Sequence, residues 1–525
     1  MNPQRVWHFL SQVLDLCPNL LLSEWYPGTT LDHHYMPEAG ALHTADTLLN
    51  TAPTGGFYFE RFGLTHEALR RIMAAALARG ADDCDLFFEH ARSTSVSLAD
   101  SKVNAAGTSV DLGMGVRARA GDRVGYAYTE DLSIEALVRA ADTAAAIAAG
   151  GRTRDPAAVK AVKIPNYYPV KRRWEDVGLD VRVPMVRRWE AAAFAADPRV
   201  EKVQAYIADT ERNILIVRPD GRLIEDFQPM TRAFLVCTVR DGERRETNSA
   251  NIAGRAGLEF YDDEGRHERL VSKAVERSTF LLDAVRPPAG EMPVVLAPGA
   301  SGILLHEAIG HGMEADFNRK GTSIYAARMG KSIAPDFVTI VDDGTLPGER
   351  GSINVDDEGN PTEKTVLVEN GVLRSYIHDE ISAAHYKVAP TGSGRRESFR
   401  SVPMPRMRST YMESGPHDPG DIIRSVKKGI YCASFSNGQV QIGAGDFSFY
   451  MKHGWLIEDG KLTQPIKEVN IIGNGPAALE KVEMVGNDLE LDEGGWTCGK
   501  EGQGVPVSQG QPTVKVGSLV VGGVS

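Results

Sequence analysis

Between Ser301 and Asp316 the chain reads SGILLHEAIGHGMEAD, which puts His306, Glu307 and His311 on one short apolar stretch. Two neutral imidazoles beside a carboxylate suit a catalytic zinc: nitrogen donors, an open coordination position and a base for water. The commoner spacing sets the histidines four residues apart; here they are five apart. At about 100° per residue, four residues return to within about 40° of the starting face, while five land about 140° away. An undistorted α-helix cannot aim both rings at one ion. The spacing therefore predicts a π-type bulge near Gly310, or a loosened turn there. Gly310 and Gly312 flank His311 and make such a distortion cheap. The bland alternative is a buried helix, capped by Ser301, whose histidines bond to core carbonyls.

A zinc reading needs a third donor, and thiolate is a good one. Cys498 lies in GGWTCGKEGQGVPVSQGQP, with glycines that let backbone approach closely and Lys500 to favour the thiolate. Cys432 sits between Tyr431 and Phe435 and reads as a strand-core thiol, while Cys84 and Cys237 fall in the other half of the chain. Glu314 and Asp316 are oxygen candidates near His311, or simply the solvated end of the helix. His378, His385, His417 and His453 read more readily as surface or satisfied histidines. On these grounds Cys498 leads and the choice stays open. Two weaker features are PTGSGRRES, an anion cradle with Arg395 and Arg396 or a flexible turn, and Asp356-Asp357, which lacks calcium-loop spacing.

The elements that must position these residues divide into two halves. Residues 1–62 are mixed and turn-rich, an N-terminal arm of unassigned role. From Thr65 a helix runs to Gly80, followed by hairpin strands around Ala120-Gly121-Asp122 and an alanine-rich helix over Ser133–Ala149. A third helix near Val183–Ala196 precedes strongly β sequence with turns at Asp220-Gly221 and Asp241-Gly242. A helix near Arg269–Val285 leads to RPPAG at Arg286–Gly290, the clearest domain boundary. Beyond it, MPVVLAP feeds the histidine segment, and Asp343-Gly344, Asn370-Gly371 and Asp459-Gly460 mark further hairpins. The expected fold is α+β: an antiparallel sheet with packed helices over 63–285, then a β-rich catalytic domain over 286–525.

A length of 525 residues with 42% apolar and 24% charged content is that of a folded globular protein. The net charge of −12 argues against phosphate-backbone binding, so no direct nucleic-acid partner is expected. Five scattered cysteines suit a reducing compartment rather than a disulfide framework. No run approaches the ~20 apolar residues of a membrane span. A cytoplasmic protein without a membrane partner follows as the default expectation.

HEAIGHGMEADFNRKGTS, PTGSGRRESFR, the PMPRMRSTYM segment from Pro403, KKGIY at Lys427, GNGP at Gly473 and CGKEGQGVPV…GQPT occur in one order. Together they resemble the TldD/PmbA family of metallopeptidases, on its TldD-type, catalytic side, over roughly residues 62 to 516. The resemblance implies one zinc per catalytic subunit, held by His306, His311 and Cys498, with Glu307 as the base. It also implies a dimer, with a PmbA-type partner subunit or a second copy, which cleaves unfolded peptides inside a closed cavity. Two rivals remain: a thiol peptidase using Cys498 as nucleophile, and a peptide-binding or regulatory subunit whose metal is structural and closed by four ligands.

Overall fold

The computed structural model describes residues 56–150 and 155–523. Most of the proposed N-terminal arm lies outside these. The described residues ahead of Thr65 hold one short helix, Phe57–Phe62, in a unit of its own.

The second unit begins where Thr65 caps the helix His66–Leu77, its side chain accepting from Ala68 N–H at 3.1 Å. Leu69, Ile72, Met73, Ala76 and Leu77 form its buried face, at the spacing the sequence gives them. This helix and Ile134–Ala148, capped by Ser133, pack on the first strands of a seven-stranded sheet. Strands Asp83–Ala99, Lys102–Ala120, Val200–Val217, Arg222–Asp241 and Arg244–Gly254 are long and pair antiparallel with one another, and the short Lys160–Ala161 adds to Arg222–Asp241 in parallel. Helices Leu179–Ala196 and Glu264–Asp283 cover the other end, burying Val186, Trp189, Leu270 and Ala274 against Val203, Ile207, Leu235 and Ile252.

Two of these helices begin earlier than the periodicity indicates. Leu179–Ala196 starts four residues before Val183 and carries Pro184 inside it. A proline past the first helical turn lacks a donor the helix would use, so periodicity does not point to helix ahead of it, yet Gly178 is the N-cap. Glu264–Asp283 starts at a cap that periodicity cannot show, the Asp263 carboxylate accepting from Gly265 N–H at 3.0 Å.

After Gly290 the chain is β-rich. Strand Lys428–Gln441 pairs with Gly290–Leu296, which pairs with Val514–Gly523, then Val469–Asn474, then Asp446–Glu458. The last of these pairs back onto Lys428–Gln441, closing a ring. A second, mixed sheet runs through Val372–Leu373, Lys364–Glu369, Ile340–Asp343, Ser409–Met412, Gln503–Gln511 and Glu490–Leu491. Strand Trp496–Lys500 hangs on it as a hairpin partner of Gln503–Gln511, with Cys498 opposite Val505. The fold is α+β, as the pattern indicates.

Asn370-Gly371 and Asp459-Gly460 are tight hairpin turns with positive φ at both positions. Asp343-Gly344 is not one. Asp343 pairs with Lys364, so a long connection leaves the strand there. Glycine is needed at 344 for space, since a Cβ would lie 1.9 Å from Thr362 Oγ1.

Candidate metal centre

The histidine segment enters from strand Gly290–Leu296 and is apolar on every side that meets the core. Ile303, Leu304, Leu305, Ala308 and Ile309 are all buried, packed with Val294, Leu296, Ile430 and Val514. Such burial favours a helix whatever its hydrogen-bond register, and the register changes within it. Ile303–Leu305 is α-helical, His306–Gly310 is a π-helical turn, and His311–Met313 tightens to 3₁₀. The His311 N–H donates to the His306 carbonyl, five residues back. That widened turn brings the two rings to 5.2 Å between centroids, nearly perpendicular at 84°. The angular deficit set by five-residue spacing is made up by one π turn.

Two glycines hold that turn against its surroundings. A Cβ on Gly310 would lie 2.0 Å from Met407 Sδ, and one on Gly312 would lie 2.6 Å from the Tyr325 ring. Beyond His311 the backbone is pinned: the Gly312 carbonyl accepts from Asn318 Nδ2 at 2.8 Å and from Ser323 Oγ at 2.5 Å. Ser301 is not the cap its type suggests. It sits in a short turn and donates to the Cys432 carbonyl at 3.2 Å.

Strand Trp496–Lys500 brings Cys498 to the same point from 187 residues away, Sγ lying 3.4 Å from His311 Nε2. One donor atom from each of His306, His311 and Cys498 lies within 4.8 Å of the others. No other such cluster of three or more His, Cys, Asp and Glu donors occurs among the described residues. The three side chains are 1%, 5% and 3% exposed. Glu307 Oε2 lies 3.8 Å from His311 Nε2, with its side chain a fifth exposed, so it alone of the group reaches toward solvent.

The alternative donors go elsewhere. Glu314 accepts from His311 Nδ1 at 3.0 Å, and Asp316 pairs with Lys500 at 2.7 Å. Both are buried, not a solvated helix end. Cys432 is a core thiol, with burial pushing it well up. His453 bonds to Ser434, and His417 to the Val485 carbonyl. The Pro390–Ser398 stretch is neither cradle nor loose turn. Arg395 donates to the Met407 and Pro506 carbonyls and Arg396 to Asp85, locking it across the molecule.

The donor set fits a metal. Burial alone would push the Cys498 thiol up, yet His311, His306 and Arg406 draw it well below its ordinary value. Arg406 also donates to the Cys498 carbonyl. Burial works against a charged His311, but the Cys498 sulfur and the Glu314 carboxylate raise it well above the usual range. A buried thiolate that draws positive charge onto a neighbouring imidazole is a site that wants a cation. Nδ1 of His306 is buried with no hydrogen-bond partner. Two imidazoles and one thiolate are zinc's donors, and three protein donors leave a position open. Burial pushes the Glu307 carboxyl up, against the pull of both histidines.

Known proteins share this plan. The chain matches the PmbA/TldA metallopeptidase C-terminal domain over residues 289–523, domain 1 over 84–148 and the central domain over 172–280. A Haemophilus influenzae protein named metalloprotease TldD homolog is 38% identical over 468 residues, 88% of this chain and 97% of its own length. The chain belongs to the PmbA/TldD metallopeptidase family. It is a metallopeptidase, a hydrolase of peptide bonds. A zinc metalloprotease TldD homolog from Saccharolobus solfataricus is 33% identical over 305 residues, 58% of this chain and 67% of its own. The crystal structure of TldE from Thermococcus kodakarensis has the same fold, with a TM-score of 0.67 at 20% identity over 87% of this chain and all of that one. No helix among the described residues is long and apolar enough to cross a membrane.

Proposed function

We propose that the chain is the catalytic subunit of a zinc peptidase acting on extended, unfolded polypeptide, with one zinc held by His306, His311 and Cys498. The observation that carries this reading is the π turn, the register that five-residue spacing needs to converge both rings with Cys498. Bound zinc supplies Lewis acidity to the scissile carbonyl and makes a neighbouring water more acidic. Glu307 takes that water's proton and returns it to the leaving amine. Its burial and raised carboxyl pKa suit both halves of that transfer, since a base poised nearer neutrality also serves as the acid.

The same reading divides the chain into an arm, residues 1–62, an α+β domain, 63–285, and the catalytic domain, 286–525. It places the active site in a cavity closed by a second subunit, a PmbA-type chain or another copy, in the cytoplasm. Peptide gripped through its backbone would be cut with little sequence preference. Glu307→Gln tests the chemistry. It should retain about one zinc per chain by elemental analysis and lose cleavage of an unfolded protein; retained cleavage refutes the assigned role.

A second reading has one observation in its favour. The 3.4 Å contact between Cys498 Sγ and His311, with the thiol drawn down, resembles an activated cysteine nucleophile. Chelation separates the two, since a thiol peptidase keeps its activity when metal is stripped.

A further inference from the structure

Cys498 and His311 are 187 residues apart, so a centre that uses both needs something other than the metal to bring their elements into register. The strand that carries Cys498 has a period of two, and its burial alternates: Cys498 buried, Gly499 exposed, Lys500 buried. Lys500 therefore points the same way as Cys498. Its ammonium reaches Glu314 Oε2 at 3.2 Å, Asp316 Oδ1 at 2.7 Å and the Pro405 carbonyl at 3.0 Å, and lies 4.3 Å from the centre of the Phe317 ring. Lys500, Glu314 and Asp316 are each less than a tenth exposed. A lysine so deeply buried is unusual and demands matched charge.

Glu314 connects this pair to the metal centre. The oxygen that meets Lys500 is the one that accepts from His311 Nδ1, at 3.0 Å. In the neutral ring that a metal requires, Nδ1–H committed to a carboxylate leaves the other nitrogen as the bare donor, and it is Nε2 that faces the Cys498 sulfur. One carboxylate oxygen thus fixes the His311 tautomer and ring plane. It also anchors the strand that delivers the thiolate. The Glu314 carboxyl is otherwise committed to nothing on the solvent side, and its second oxygen is buried without a partner.

We propose that Lys500 and Glu314 are positioning residues for the metal centre. They preset the His311 tautomer and seat the Cys498 strand against the histidine turn, so that the site is assembled before metal arrives. This goes beyond the proposed function and rests on its ligand set.

The test is metal binding by the full chain, independent of cleavage. Apo protein is titrated with cobalt(II), and with zinc against a chromophoric chelator, for wild type, Lys500→Met, Lys500→Arg, Glu314→Gln and Cys498→Ala. Lys500→Met and Glu314→Gln should each lose about 10- to 100-fold in metal affinity and shift the cobalt ligand-field bands. Lys500→Arg, which keeps the charge, should recover most of the affinity. A Lys500→Met chain with a lowered melting temperature but wild-type cobalt bands and affinity would make the pair merely structural and overturn the proposal. If Lys500→Met does not fold, Glu314→Gln and Lys500→Arg decide by the same readings. Cys498→Ala separates the two layers. A cobalt–thiolate band that survives in that variant refutes the ligand set, whereas its loss there beside wild-type binding in Glu314→Gln refutes only the positioning role.

Discussion

Two clusters of charge lie buried in this molecule, and they are finished differently. One joins the N-terminal sheet to the C-terminal domain. Arg117 donates to Asp85 at 2.5 Å and to Glu358 at 2.6 Å, and Arg396 reaches Asp85 at 2.8 Å. Arg218 and Arg119 bind Asp83, and Glu380 sits against Arg218 at 2.8 Å. Even the Asp356-Asp357 pair, which resembles a cation loop in the sequence, is consumed internally. Asp356 accepts from the N–H groups of Glu358, Asn360 and Gly394, and Asp357 from that of Arg396. The other cluster is the proposed metal centre, where a buried thiol is drawn down beside two histidines. The first is a strut, charge matched to charge; the second gathers three metal-donor atoms within 4.8 Å of one another.

That contrast can be broken from either side. The largest effect on stability should come from the strut. Arg117→Met leaves Asp85 and Glu358 facing each other without their shared cation, and removing one partner of a buried pair costs about 3–5 kcal/mol. Urea unfolding should register that loss while zinc content stays near one per chain. Loss of zinc from that variant would mean that the two clusters are not separate.

Metal removal should cost somewhat less and be reversible. At free zinc 100-fold above the dissociation constant, binding stabilises by about 2.7 kcal/mol. Chelation should therefore lower the melting temperature of wild type and abolish cleavage, and zinc should restore both. In Cys498→Ala the melting temperature should no longer respond to chelator.

The strut should also set the acid limb. Burial alone would raise the Asp85 carboxyl, but Arg117, Arg396 and Arg218 hold it well below the usual carboxylate range. A depressed folded value contributes stability that is fully present above the unfolded value and is lost as pH falls toward the folded one. Stability should thus fall below about pH 4, and Asp85→Asn should flatten that limb while lowering stability at pH 7. An unchanged slope would remove Asp85 from the account. The smallest effect belongs to neither cluster. Arg424→Ala breaks an exposed pair with Asp421 and should leave the unfolding midpoint where it is.

The centre itself was legible in the sequence because its demands are local. His306 and His311 lie in one stretch, and their five-residue spacing calls for a π-type bulge or a loosened turn near Gly310, of which the fold has the π turn. Cys498 stood out by residue type and flanking glycines, though only the fold brings it within 3.4 Å of His311. Its supports were not legible. Glu314, Asp316 and Lys500 read as a solvated helix end and a thiolate neighbour, because burial arises from strands 180 residues on. Arg395 and Arg396 read as an anion cradle or part of a flexible turn, because their carbonyl and Asp85 partners are equally remote. Local pattern gave the helices, misplacing two starts, where Pro184 interrupts the pattern inside one helix and Asp263 caps the other beyond the reach of periodicity. It also took Asp343-Gly344 for a hairpin, where glycine serves packing instead of turning.

The most direct test of the central claim is zinc content, by elemental analysis of purified wild type beside Cys498→Ala. About one zinc per chain, lost or loosened in the variant together with cleavage of unfolded protein, is the expected result. Full zinc occupancy with full activity in Cys498→Ala would contradict it and remove the third donor from the centre.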